Sequence, residues 1–257
     1  MVLYYAEGGN FNNWNSWIKE DRSSWNNEML SLKWIIGGLI KIHEKKMVHC
    51  DFHTGNILFG NNIMFINNDE ITYFRNHAYI SDMGLCGEVG NVDATKIYGV
   101  MPYVAPEVLR GKPYTQAADI YSFGMVMYFV ATGRQPFADC AHDQDLALNI
   151  CNRIRPEITE KDAPKCYIDL MKKCWDPNPD NRPNASEIED EIESFFYSDD
   201  DEIRRQFYEA YKYKKANHSA IENNQTITHP QAIYTSRLLN PYTTDLIKFN
   251  WSESQNE

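Results

Sequence analysis

Asp51 and Asn56 stand five residues apart in "MVHCDFHTGNILF" (47–59), an H-x-D-x-x-x-x-N pattern that opens at His49. A carboxylate and a carboxamide at this spacing give one loop a proton acceptor and a hard oxygen ligand. Phosphoryl transfer needs these types: a carboxylate to orient the attacking hydroxyl, and oxygens to hold Mg²⁺ against the phosphates. A second carboxylate, Asp82 in "ISDMGL", follows an apolar stretch where the chain turns to small and polar residues. Taken alone the pattern is weak, because Asp and Asn also form Asx turns between a helix and a strand. Both meanings remain open on these residues.

Elements must position such a loop. Apolar residues recur at Leu32, Ile35, Ile36, Leu39, Ile40 and His43, which predicts a helix over 27–46 with one broad buried face. "NILF" (56–59) reads as a short strand. In 60–81, apolar runs alternate with Asn-Asn and Asn-Asp breaks, as in a hairpin with a generous loop. Residues 82–99 have no period and read as a long ordered loop. The stretch 117–131 is apolar nearly all round and predicts a helix buried on every side. Further helices fit 143–154, 167–176 and 185–196, the last after the turn "PNPDNRP". Residues 1–7 read as a strand end before Gly8 and Gly9, and 12–20 as a polar amphipathic segment. After Ser198 the period fades, and 217–231 reads as a flexible tail.

Bulk properties narrow the classes. The 257 residues are 43% hydrophobic, enough for a packed core. A net charge of −11 excludes a typical phosphate-backbone binder, so no nucleic-acid partner is expected. The most apolar run, 124–131, is too short to span a bilayer, so no membrane span is expected. Six cysteines without a CxxC pair, and an N-terminus without a secretory pattern, point to an intracellular and cytoplasmic setting.

Order along the chain adds specificity. "HCDFHTGN" (49–56), "DMG" (82–84), "YVAPE" (103–107), "DIYSFG" (119–124) and "CWDPNPDNRP" (174–183) resemble, in sequence order, five motifs of the eukaryotic protein-kinase family. The resemblance implies an α+β, mainly helical fold: a kinase-like large lobe with short β-hairpins. It divides the chain into a hinge remnant (1–10), the lobe (11–197) and an acidic then polar tail (198–257), partly flexible. It implies transfer of the ATP γ-phosphate to a protein Ser/Thr hydroxyl in intracellular signalling, with ATP and Mg²⁺ as cofactors and a protein as substrate. Asp51 would be the catalytic base, and Asn56 and Asp82 the metal ligands. Tyr4, Ala6 and Leu58 would meet the adenine. His49 would pack beneath the loop with Met83, Asp119 would hold the loop through its backbone N–H groups, and Glu107 would pair with Arg182. Thr95 and Tyr98 are candidate activation-segment phosphosites, and the C-terminal tail is a candidate protein-partner segment, with packing filler as its plainer reading.

The sequence also departs from the family pattern. Cys50 replaces the arginine that in the family pairs with a phosphorylated activation segment, so phosphorylation at Thr95 or Tyr98 is not expected to be the main switch. His53 and Val100 stand where a lysine and a threonine are usual. No G-x-G-x-x-G and no V-A-I-K-like strand occurs, so the small lobe expected before the hinge is missing. The alternative reading is therefore a catalytically silent kinase-like scaffold.

Overall fold

A computed structural model describes residues 9–11, 25–60, 63–67, 70–74, 77–88, 95–216 and 228–248, with backbone alone for 63–67, 70–74 and 247–248. The expected strand at 1–7 and amphipathic segment at 12–20 fall outside the described residues. Helices dominate, and the strands form short two-stranded ribbons.

Helix α1 (Asn26–Glu44) buries Met29, Leu32, Ile35, Ile36 and Leu39 on one face, as the i, i+3, i+4 spacing requires. Lys41 and His43 lie in its last turn, where the helix dipole favours positive charge. The chain then forms β1 (Met47–Val48) and the loop carrying Asp51, and continues into β2 (Ile57–Gly60). The predicted hairpin has more order than an open loop. Its arms, β2 and β5 (His77–Ile80), pair antiparallel with Ile57 opposite Ile80. Between them β3 (Ile63–Asn67) and β4 (Glu70–Phe74) form a second ribbon with Ile66 opposite Ile71. In 82–99, β6 (Gly87–Glu88) pairs with β1, and β7 (Tyr98–Gly99) pairs with a strand far along the chain.

Past the one-turn α2 (Pro106–Leu109) comes α3 (Gln116–Thr132), in which every residue from Ala118 to Ala131 is buried. It stops at Gly133, whose φ of +68° suits glycine and whose N–H reaches Phe129 O. Against this post pack α1 and α5 (Lys165–Cys174), while α4 (Gln144–Cys151) packs on α2 and α6 (Ala185–Phe196) packs on α1. A capping box starts α6. Asn184 accepts from the N–H groups of Ser186 and Glu187, and Glu187 accepts from Asn184 N at 2.8 Å.

The region after Ser198 is more ordered than its faded period suggests. Asp201–Ala216 forms α7, and Arg237–Leu238 (β8) and Asn240–Lys248 (α8) fold back on the lobe. Leu239, Thr243 and Leu246 are buried there. Of the predicted flexible stretch, 217–227 lies outside the described residues.

Candidate active site

Asp51 sits on a loop held from below by Asp119 on α3. Asp119 Oδ2 accepts from His49 N at 2.8 Å and Oδ1 from Cys50 N at 3.2 Å, while His43 Nε2 lies 3.0 Å from Oδ2. These bonds hold Cys50 at φ +67°, in the left-handed region that most side chains avoid. The thiol is buried, and burial pushes its pKa upward, so a neutral thiol occupies the place before Asp51.

Both oxygens of the Asp51 carboxylate lie in a closed setting; the residue is 6% exposed. Oδ2 receives a long bond from Asn56 Nδ2 at 3.4 Å, and the same Nδ2 donates to Asp51 O at 2.9 Å. Oδ1 is buried and has no hydrogen-bond partner among the described residues. His53 faces it with Nε2 at 3.6 Å, too far for a hydrogen bond. Since Gly55 N donates to His53 Nδ1 at 3.0 Å, the ring proton rests on Nε2 and points toward the orphan oxygen.

Asp82 lies just past β5, the partner of β2. Ser81 donates to Asn56 O from both N (2.8 Å) and Oγ (3.0 Å). His49 Nδ1 accepts from Asp51 N at 3.3 Å, so its Nε2–H is left to donate to Ser81 O at 3.1 Å. Asp82 is thus one residue past a carbonyl and an amide locked to Asn56 and His49. It adopts φ +56°, ψ +63°, a conformation Asp tolerates better than most residues, and accepts from Gly84 N at 3.4 Å. With Asn56 Nδ2 committed to Asp51, its Oδ1 is the free oxygen of the amide. Asn56 Oδ1 and the exposed Asp82 carboxylate are hard ligands of the kind Mg²⁺ takes, with phosphate and water completing the shell. Among the described residues no group of three His, Cys, Asp or Glu forms a metal cluster, so these two would be the protein's share.

Met83 departs from its expected place. It is 44% exposed rather than packed beneath the loop on His49, because the left-handed turn at Asp82 carries it into a one-turn 3-10 helix on the surface. Its described neighbour is Cys86 Sγ at 3.4 Å. Leu58 lies half-buried on β2, bridged to Asn10, while Tyr4 and Ala6 lie outside the described residues. Glu107 and Arg182 meet fork to fork at 2.7 and 2.8 Å, and Arg182 also donates to Asp176 O and Ala117 O. Thr95 is exposed and Tyr98 lies on β7.

Sequence reasoning missed a ring of side chains under the loop. Thr54 Oγ1 lies 3.2 Å from Tyr103 OH, Tyr103 OH donates to Gln135 Oε1 at 2.6 Å, and Gln135 Nε2 donates to Thr54 Oγ1 at 3.1 Å. It ties the Asp51 loop to residues 49 and 81 positions away, and no local pattern announces it. Gly99 closes the wall: a Cβ there would lie 3.5 Å from Asp51 Oδ1 and 2.9 Å from Val104 Cγ2.

The profile of the protein kinase domain matches residues 1–192. A Dictyostelium discoideum protein named a probable serine/threonine-protein kinase is 31% identical over 153 residues, covering 59% of this chain and 8% of that protein. Human receptor-interacting serine/threonine-protein kinase 1 is 29% identical over 207 residues, 73% of this chain and 29% of that protein. The dual specificity protein kinase shkA of Dictyostelium is 30% identical over 164 residues, 61% of this chain and 28% of that protein. The chain therefore spans less than a third of the length of each of these relatives. With the match covering most of the chain, and with the mainly helical large-lobe fold, the chain belongs to the protein kinase domain family.

Proposed function

We propose that the protein transfers the γ-phosphate of ATP to a serine or threonine hydroxyl of a protein substrate, in intracellular signalling. The observation that carries this reading is the orphan Asp51 Oδ1, a buried carboxylate oxygen with no donor among the described residues. Such an oxygen costs about 1–3 kcal/mol unless a donor arrives, and an acceptor hydroxyl is a donor of the right kind. The hydroxyl proton passes to Asp51 as the hydroxyl oxygen bonds to phosphorus and the bond to the ADP oxygen breaks. His53 Nε2 faces that same oxygen at 3.6 Å, beyond hydrogen-bond reach, and so leaves it open to the hydroxyl, and the Asp119 bonds keep the loop from shifting as the charge changes. Asn56 and Asp82 would hold Mg²⁺, which supplies charge neutralisation at the phosphates. Tyr4, Ala6 and Leu58 are proposed for the adenine, and Thr95 and Tyr98 for modification.

Ser/Thr preference is supported by two of the three relatives above, which are named as serine/threonine-protein kinases. Six free cysteines suit a reducing, intracellular compartment, and no described helix is long and apolar enough to cross a membrane. We also assign 11–197 to the lobe and 198–257 to an appended segment.

The test is transfer of labelled phosphate from Mg²⁺–ATP to a generic protein acceptor by the purified full-length protein. Asp51→Asn is expected to lower kcat by roughly 10²–10⁴-fold, the usual worth of a general base. Its thermal shift with Mg²⁺–ATP should match the wild type. Absence of both transfer and shift at millimolar ATP would leave a binding scaffold as the function.

A further inference from the structure

The tail meets the activation segment beside Asp51, and the contact is polar and specific. Strand β8 adds antiparallel to β7, with Leu238 opposite Tyr98 and Arg237 opposite Gly99. Leu239 N donates to Ile97 O at 2.7 Å. One residue on, the Asn240 carboxamide continues the ladder with its side chain: Oδ1 accepts from Ile97 N at 2.9 Å, and Nδ2 donates to Thr95 O at 2.8 Å. From the opposite side Tyr114 OH donates to Tyr98 O at 2.6 Å. Ile97 and Leu239 are both buried beneath this junction, while Tyr98 and Leu238 are exposed.

The tail is itself fastened to the lobe just upstream. Ile233 N donates to His142 Nδ1 at 3.0 Å, Tyr234 OH to Pro136 O at 2.9 Å, and His229 N to Ala138 O at 2.8 Å. Arg237 donates to His142 O and to Tyr242 OH. A strand so anchored can fix the position of what it pairs with. The pairing ends at Gly99, which walls the orphan oxygen of Asp51. On the other side of Asp51 stands Cys50, a buried thiol with no positive charge to offer a phosphate.

We propose that residues 237–243 are a built-in clasp, with Asn240 as its positioning residue, holding the activation segment against Asp51 in place of a phosphate-dependent hold. Its catalytic consequence rests on the phosphotransfer reading, whereas the ordering of 95–99 does not.

Hydrogen–deuterium exchange of the purified full-length protein separates the two. In Asn240→Ala, peptides covering 95–101 should exchange at least tenfold faster, while peptides from α3 stay unchanged. Asn240→Asp, which keeps an oxygen for Ile97 N–H and loses the donor to Thr95 O, should fall between. In transfer assays, Asn240→Ala should lower kcat at least fivefold with the KM for ATP within twofold, and phosphatase treatment should leave kcat within twofold. Unchanged exchange at 95–101, or acceleration that extends equally to α3, would overturn the clasp. A rise in kcat on Asn240→Ala would overturn it too, because the tail would then be an obstruction. If the wild type transfers no phosphate, the phosphotransfer reading falls and exchange alone decides the clasp.

Discussion

Asp119 serves three groups with two oxygens: the N–H groups of His49 and Cys50, and the ring of His43. Two of those are backbone donors in a buried loop that water cannot reach, and one belongs to a residue in left-handed conformation. Asp119→Ala would strand both. Each stranded donor costs about 1–3 kcal/mol, so urea unfolding should show a loss of roughly 2–6 kcal/mol. The Asp51 loop should also become open to exchange, because Cys50 at positive φ would keep only its thiol contact to Val48 O among the bonds of the described residues. His53 shows the opposite economy. Its ring, fixed by Gly55 N at Nδ1, stands where the family's lysine is absent and faces Asp51 Oδ1 with Nε2 at 3.6 Å.

At the scale of elements, α3 and α5 approach closely. A Cβ on Gly124 would lie 3.0 Å from Cys174 Cβ, 3.4 Å from Met171 O and 3.5 Å from Trp175 N, atoms close to the α5 backbone that cannot step aside. Gly124→Ala should therefore destabilise by about 1–3 kcal/mol, the usual cost of overpacking, against the gain of about 1 kcal/mol that alanine brings to a helix interior. A net fall in thermal midpoint is the expected reading. These helices were legible in the sequence because burial writes itself locally: α3 is apolar all round, and α6 follows the turn at 177–183. The Asp51 loop was legible as a candidate for the same reason, with Asp51 and Asn56 within five residues. Met83 was misplaced because its surroundings depend on the backbone turn at Asp82, which residue types alone do not reveal. Beyond local reach lay the Thr54–Tyr103–Gln135 ring and the two-residue strand β8, whose partners are up to 81 and about 140 residues distant. A strand that short carries no period.

Across the whole molecule the tail binds lobe and activation segment together, and His142 is the pin of that joint. It is 2% exposed; its Nδ1 lies 3.0 Å from both Ile233 O and Ile233 N, and its Nε2 lies 3.0 Å from Phe137 O. Burial lowers its pKa below the ordinary 6.5; Arg237 adds to that, and the bonds to Phe137 and Ile233 and the charge of Asp143 oppose it. A histidine lowered in the folded state contributes stability fully above 6.5 and loses it as pH falls through that value toward the folded one. The urea midpoint of the wild type should drop between pH 7.5 and 5.5, and His142→Asn should flatten that dependence. The pairing of β7 with β8 has a consequence for synthesis as well. When Thr95 and Tyr98 leave the ribosome, Leu239 and Asn240 have not been made, and at about 5–20 residues per second they follow roughly 7–30 seconds later. Until then the newborn lobe has its Asp51 carboxylate with no clasp beside it, and a chain cut short before Arg237 would stay so for good.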